Sequence, residues 1–254
     1  MMTRDSFWRL ISGVLIMQVF IACSSRHEID RVEWPVMGTI AALQTRDAPP
    51  EKSAKIAQLL KEQFSRVVEE FNAFDTNSVI NRMGRCTTFG QPCWDFAFKL
   101  KEQTAGAFDP CWRGKNKLDF GAVAKGFAVD LAAERVKAHT SLKICDTLID
   151  LGGNLKAVKG DWVVGIKDGE TFTLHEGEAC ATSACYYRGN HIKDARTGED
   201  VTNTIYSVTT IHPSSALIAD GLSTVMFILG REKGEAFLKA YYPEVKVVWL
   251  DAGF

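Results

Sequence analysis

Two long segments with apolar residues at helical spacing stand near the two ends of the chain, and most of what lies between them reads as short strands. Within residues 54–71, Ile56, Leu59, Leu60, Phe64, Val67, Val68 and Phe71 recur at the helical period, and beyond Ser214 so do Leu217, Ile218, Leu222, Val225, Met226 and Leu229. Each stripe needs a sheet or another helix to lie against. Residues 95–104 and 122–136 are further helical segments, while 36–44, 118–120, 145–151, 162–167, 206–212 and 245–250 read as strands, with a tight turn at Gly152-Gly153. Ser214 or Ser215 caps the last long helix and Gly230 falls just past its end. No repeat, low-complexity run or Pro-rich linker divides the body. The expectation is one α+β domain over residues 23–254, with two lobes around a cleft.

Ahead of that body, residues 10–22 are apolar apart from Ser12, Gly13 and Gln18, behind a head that carries Arg4 and Arg9. At 1.5 Å of rise per residue, such a run is too short for a hydrocarbon core of about 30 Å. The pattern is that of an export signal over residues 1–22. Phe20-Ile21-Ala22-Cys23 is also similar to a bacterial lipobox, so Cys23 is expected to be lipidated and to anchor the chain to a membrane of the bacterial cell envelope, facing the periplasm. A plain secretory signal with a chance cysteine is the competing reading.

Export would bring Cys86, Cys93, Cys111, Cys145, Cys180 and Cys185 into an oxidising compartment. Cys86 and Cys93, flanking the turn-like residues 88–92, are the first pair to test, and the cysteine spacings do not suit a zinc finger or ribbon. The 30 Lys and Arg against 31 Asp and Glu leave a net charge of -1, which excludes an electrostatic footprint for nucleic acid.

Three constellations could carry chemistry. Asp220 and Thr224 project from one helix face a turn apart, a pair of hard oxygens suited to Mg²⁺ or Ca²⁺. The competing reading has Thr224 bonded back to its own helix and Asp220 solvated. Residues 118–126, Leu-Asp-Phe-Gly-Ala-Val-Ala-Lys-Gly, lead into a helix whose free amides suit an anion, with Lys125 either at a phosphate or in solvent. His191 and Asp194 form a candidate base and carboxylate just before Arg196-Thr197-Gly198, a sequence equally ordinary for a surface turn. A serine-hydrolase reading fails for want of a G-x-S-x-G elbow.

Order and spacing make these signals specific. Met37-Gly38-Thr39, Phe71 to Asp75, Ala107-Phe108-Asp109-Pro110, Leu118 to Gly126 with Ala128-Val129-Asp130, Asp150 to Asn154, Ala181-Thr182-Ser183, His191 to Gly198 and Ala219 to Thr224 together resemble the ApbE family of FAD:protein FMN transferases. The resemblance implies a single ApbE-like, T-fold-related domain of two lobes around an FAD cleft.

It further implies a Mg²⁺-dependent enzyme that transfers FMN from FAD to a Thr or Ser hydroxyl of an exported acceptor protein, releasing AMP. Asp220 and Thr224 then correspond to metal ligands, joined by Ala122 through its backbone oxygen. Met37, Phe74, Ala107, Phe108, Asp109, Asp119 and Lys125 correspond to FAD contacts. His191 and Asp194 correspond to the family's H-x-x-D element, with His191 as the base. Gly221 stands where the family has Ala, Ala195 where it has Pro, and Asn154 where an acid is common. Hydrolysis of FAD to FMN and AMP, and flavin binding without chemistry, are the two alternative activities.

Overall fold

The computed structural model describes residues 28–114, 117–167, 169–184, 192–202 and 204–252. Cys23, Cys185 and His191 lie outside them.

A seven-stranded sheet organises the chain, in the order β1-β2-β3-β4-β7-β8-β9 with every neighbouring pair antiparallel. Its strands are β1 (Ile29–Val36), β2 (Thr39–Arg46), β3 (Thr147–Leu151), β4 (Asn154–Lys159), β7 (Ala179–Ala184), β8 (Ile205–His212) and β9 (Lys246–Asp251). The hairpin of β5 (Trp162–Gly165) and β6 (Thr171–Leu174) forms a separate two-stranded sheet. The helices are α1 (Pro50–Phe71), α2 (Val79–Met83), α3 (Gln91–Gln103), α4 (Ala124–Ala138) and α5 (Ala216–Tyr241).

Burial explains the layering. The α1 stripe of Ile56, Leu60, Phe64 and Val67 is wholly removed from water and shares the main core with Leu43, Ile149 and Leu151 of the sheet and Val129, Leu222 and Val225 of α4 and α5. Phe71 closes that core at the end of α1, with its ring 4.8 Å from Phe120 and 6.1 Å from Phe127. A smaller core of Leu148, Leu155, Trp162, Val164, Leu174 and Ile211 joins the β5–β6 hairpin to the sheet. Among the described residues no helix is long and apolar enough to cross a membrane.

Several elements differ from the sequence expectation. Residues 29–36 form a strand although their polar residues mask it, and Met37-Gly38 is the two-residue turn of the β1–β2 hairpin, with φ of 51° and 68°. Positive φ at both central positions matches the twist of the flanking strands. Residues 118–120 are not a strand: the Asp119 amide bonds to the Pro110 carbonyl and the Phe120 ring enters the core. The Gly152-Gly153 turn joins β3 to β4, a strand not anticipated. Helix α5 continues beyond Gly230, which interrupts it at φ 77° and ψ 172°. Cys86 and Cys93 are free thiols, the Cys86 Sγ lying 3.7 Å from the Gln91 side-chain oxygen.

Candidate functional site

Three tight backbone approaches create a cleft of about 580 Å³. The β1–β2 and β3–β4 turns touch where Gly152, at φ 60°, leaves no space for a Cβ, which would stand 2.5 Å from Thr39 Oγ1. Helices α4 and α5 meet at Gly126, where a Cβ would lie 2.2 Å from the Ala216 carbonyl oxygen. Asp130 of α4 caps α5, accepting the Ala216 and Leu217 amides at 2.9 and 3.0 Å, while Ser215 Oγ accepts the Ile218 amide at 3.2 Å. Residues 107–109 and 192–195 close the cleft from the side, tied together by the Ala195 amide donating to the Ala107 carbonyl at 3.0 Å.

Asp220 lies at the centre, buried to 4% exposure. Burial pushes its carboxyl above the usual range, and Lys125 with the Gly126 amide pulls in the opposite direction. Its Oδ2 accepts the Gly126 amide at 2.9 Å, and its Oδ1 is 3.4 Å from Lys125 Nζ, which also donates to the Gly121 carbonyl at 3.2 Å. The solvated reading of Asp220 is thereby excluded. Thr224 Oγ1 sits 3.3 Å from Ser183 Oγ, and Ser183 lies 2.8 Å from Ser223 Oγ. It is Ser223, rather than Thr224, that bonds back to the Asp220 carbonyl, at 2.9 Å.

Asn154 completes this group. Its Nδ2 donates to the Leu151 carbonyl at 3.2 Å and helps hold Asp220 ionised, while its Oδ1 is buried with no partner. Leaving a buried acceptor unpaired costs about 1–3 kcal/mol, so an orphan oxygen beside a carboxylate fits a cation. Asp220, Thr224, Asn154 and Ala122 all line the cleft, and their side-chain or backbone oxygens are of the hard kind that could hold Mg²⁺ or a similar ion. Asp220 is the one carboxylate among these four, and among the described residues no group of three or more His, Cys, Asp or Glu could hold a metal.

The remaining predicted residues divide. Phe74 stands on the rim at 81% exposure with the Arg113 guanidinium 4.6 Å from its ring centre, and the exposed Trp112 lines the same cleft. Ala107 and Phe108 are buried in the lining. Asp109 and Asp119 also line it, yet each holds its own loop: Asp109 accepts the Cys111 amide at 2.8 Å and pairs with Lys101 at 2.9 Å, and Asp119 accepts the Gly121 amide at 2.9 Å. Met37 packs against the main core while Gly38 and Thr39 face the cleft. Asp194 is committed to Arg196, 2.9 Å from Nε and 2.5 Å from Nη2, which holds its carboxyl below the usual range, so it shapes the turn while Ile192, Lys193 and Ala195 line the cleft. Trp112 gave no sequence signal. Asn154, Ser183 and Asp130 stood within quoted motifs without an assigned role.

A continuous antiparallel sheet, a helix layer and a cleft built from turns around one buried carboxylate define an α+β protein with the fold of solved flavin transferases. The Vibrio cholerae flavin transferase ApbE superposes with a TM-score of 0.73 at 20% identity, covering 89% of this chain and 94% of that one. The apo Pseudomonas stutzeri flavinyl transferase ApbE gives 0.74 at 20% identity, covering 90% and 92%. The chain belongs to the ApbE family, whose sequence model matches residues 112–249, more than half of its length.

Among curated relatives, an FAD:protein FMN transferase of Klebsiella pneumoniae (strain 342) is 34% identical over 139 residues, 48% of this chain and 42% of that protein. One of Vibrio cholerae is 30% identical over 158 residues, 54% and 46% respectively. The chain spans less than half the length of these relatives.

Proposed function

We propose that this chain is a Mg²⁺-dependent FAD:protein FMN transferase, which moves the FMN half of FAD onto a Thr or Ser hydroxyl of an exported acceptor protein and releases AMP. The observation that carries this reading is the meeting of Lys125, the Gly126 amide and Asp220 at the N-terminus of α4. Helix N-termini favour anions, and Lys125 there supplies a positive charge that suits a diphosphate. The names of the relatives support the same reading.

Asp220, Thr224, Asn154 and the Ala122 carbonyl would hold the ion, which when bound neutralises charge building on the diphosphate and fixes its geometry. The acceptor oxygen bonds to the phosphorus on the riboflavin side as the bridging P–O bond breaks, and AMP leaves with that electron pair. His191 is assigned the hydroxyl proton, a role worth about 10² to 10⁴ in rate. Asp194 acts through the turn it holds and is a positioning residue. Phe74 and Trp112 offer ring faces for the flat parts of FAD. Cys23 is proposed as the lipid anchor on the periplasmic side.

Incubation of the mature protein with FAD, Mg²⁺ and an exported flavin-carrying acceptor domain tests the reading. A fluorescent acceptor band in a denaturing gel is expected. FAD binding without any such band overturns transfer, and AMP release without acceptor would assign hydrolysis instead.

A further inference from the structure

Both oxygens of Asp220 are already engaged. Oδ2 accepts the Gly126 amide at 2.9 Å across the α4–α5 contact, which leaves Oδ1 the less tightly held of the two oxygens. Lys125 Nζ covers that atom at 3.4 Å, with its position set from behind by the Gly121 carbonyl at 3.2 Å. The Asp220 side chain is 6% exposed and that of Lys125 24%, so the ammonium is the more open of the two charges, and both line the cleft. The other oxygens nearby, on Thr224, Asn154 and Ala122, are neutral. One carboxylate oxygen paired with an ammonium, plus neutral donors, is a weak divalent site on its own, because affinity for such ions follows the charge and number of ligands.

We propose, resting on the diphosphate reading above, that Lys125 couples the two ligands. Its ammonium holds Asp220 Oδ1 until a diphosphate draws it away, and the divalent cation takes Oδ1 only then, with phosphate oxygens completing its shell. Lys125 suits the exchange because its charge sits on a flexible four-carbon stem. An ammonium and a divalent ion on one carboxylate oxygen repel each other, whereas the diphosphate supplies negative charge for both. The coupling is reciprocal, so the cation tightens diphosphate binding by the same factor that diphosphate tightens cation binding.

Two titrations on the full chain test this. In the first, Mn²⁺ binding without nucleotide is followed by the electron paramagnetic resonance of free Mn²⁺. Lys125→Met and Lys125→Gln are expected to bind at least about tenfold tighter than the wild type, whereas Lys125→Arg, which keeps the charge, stays as weak. In the second, FAD affinity is read from flavin fluorescence with Mg²⁺ and with a chelator. The wild type should gain about tenfold or more from Mg²⁺, and Lys125→Gln a clearly smaller factor, since in that variant only the direct contact between ion and phosphate remains. Equal Mn²⁺ affinity in wild type and Lys125→Gln, or an undiminished Mg²⁺ effect in that variant, overturns the coupling. Melting curves identify any variant that fails to fold, and either neutral variant suffices. Failure of the wild type to bind FAD at all would instead sink the diphosphate reading, with the Mn²⁺ titration still deciding the role of Lys125.

Discussion

Asp130 and Ser215 meet at 2.7 Å across the contact between α4 and α5, the carboxylate of one helix receiving the hydroxyl that caps the other. Lys156 Nζ reaches the same carboxylate at 2.6 Å and also donates to the Ser214 carbonyl. Free amides of α5 thus find acceptors inside the protein, and the level of that helix relative to α4 is set one turn before Asp220 meets Gly126.

Replacing Asp130 by Ala should leave the largely buried Lys156 ammonium facing the positive end of a helix. A loss of about 3–5 kcal/mol is expected, the range for breaking one side of a buried ion pair. Denaturant unfolding measures it, and a change below about 1 kcal/mol would refute the role given to Asp130.

Gly126→Ala would drive a Cβ into the backbone of α5, 2.2 Å from the Ala216 carbonyl oxygen and 2.6 Å from its carbon. Backbone on both sides cannot yield as a side chain can, so the helices must part, at about 1–3 kcal/mol. Asp220 would move with them, and turnover should fall by roughly 10²-fold, as for misplacements of about 1 Å. Parallel melting and rate measurements separate the two effects.

Asp150 is buried beneath the Gly152-Gly153 turn and accepts the Gly153 amide at 2.9 Å. Burial raises its pKa from 3.8 to about 6, against opposing pulls from the Gly153 amide and Arg31. A carboxyl raised on folding takes up a proton between those values, so its contribution to stability grows as pH falls through that window and is lost above it. Asp150→Asn keeps the acceptor without the charge. It should be more stable than the wild type at pH 8, by up to about 3 kcal/mol, and no different near pH 4. Equal melting temperatures at pH 8 would contradict this.

Phe74→Ala removes an exposed ring from the rim. Stability should stay within about 0.5 kcal/mol, while FAD affinity drops by the equivalent of about 1–3 kcal/mol if the ring stacks on the ligand. Flavin fluorescence titration reads the second quantity, and unchanged affinity would remove Phe74 from the binding surface.

Asp220→Asn should melt higher than the wild type at neutral pH, because burial raises the carboxyl it replaces. The same change should abolish flavin transfer, as should chelation of divalent ions from the wild type. A variant both stabilised and inactive is the signature of a charge kept for function at the expense of the fold. Retained transfer in Asp220→Asn would end the metal assignment.

The one-sided spacing of Ile56 to Phe71 and of Leu217 to Leu229 made α1 and the first part of α5 legible in the sequence, whereas α4, buried on several sides at Gly126, Phe127, Ala128 and Val129, was legible as a run of helix formers after Gly121. Strands were less so. In β1 the alternation is blurred by Asp30, Arg31 and Glu33 on an edge strand, and β4 (Asn-Leu-Lys-Ala-Val-Lys) and β7 (Ala-Cys-Ala-Thr-Ser-Ala) lack the run of β-branched and aromatic residues that marks a strand. Gly221 is an instructive departure: a Cβ there would stand 2.7 Å from both Leu100 and Phe96, so a close seat for α3 explains a residue that local pattern could not. At the site, the spacing of Asp220 and Thr224 put them on one helix face, which lines the cleft, while the role given to them came from the family resemblance. Asn154, Ser183 and Trp112 were not legible, because their meaning lies in which loops the sheet brings together.

Gly230 divides α5 into two pieces with separate duties. The stretch before it holds Asp220 and Thr224 in the cleft, and the stretch after it packs Phe237 and Leu238 into the far end of the core. With the amide ladder interrupted between them, fraying that starts at the exposed Tyr241 has no continuous rail along which to travel inward. The glycine thus separates the end of this helix, which leads on into β9, from the turn that carries the cleft residues.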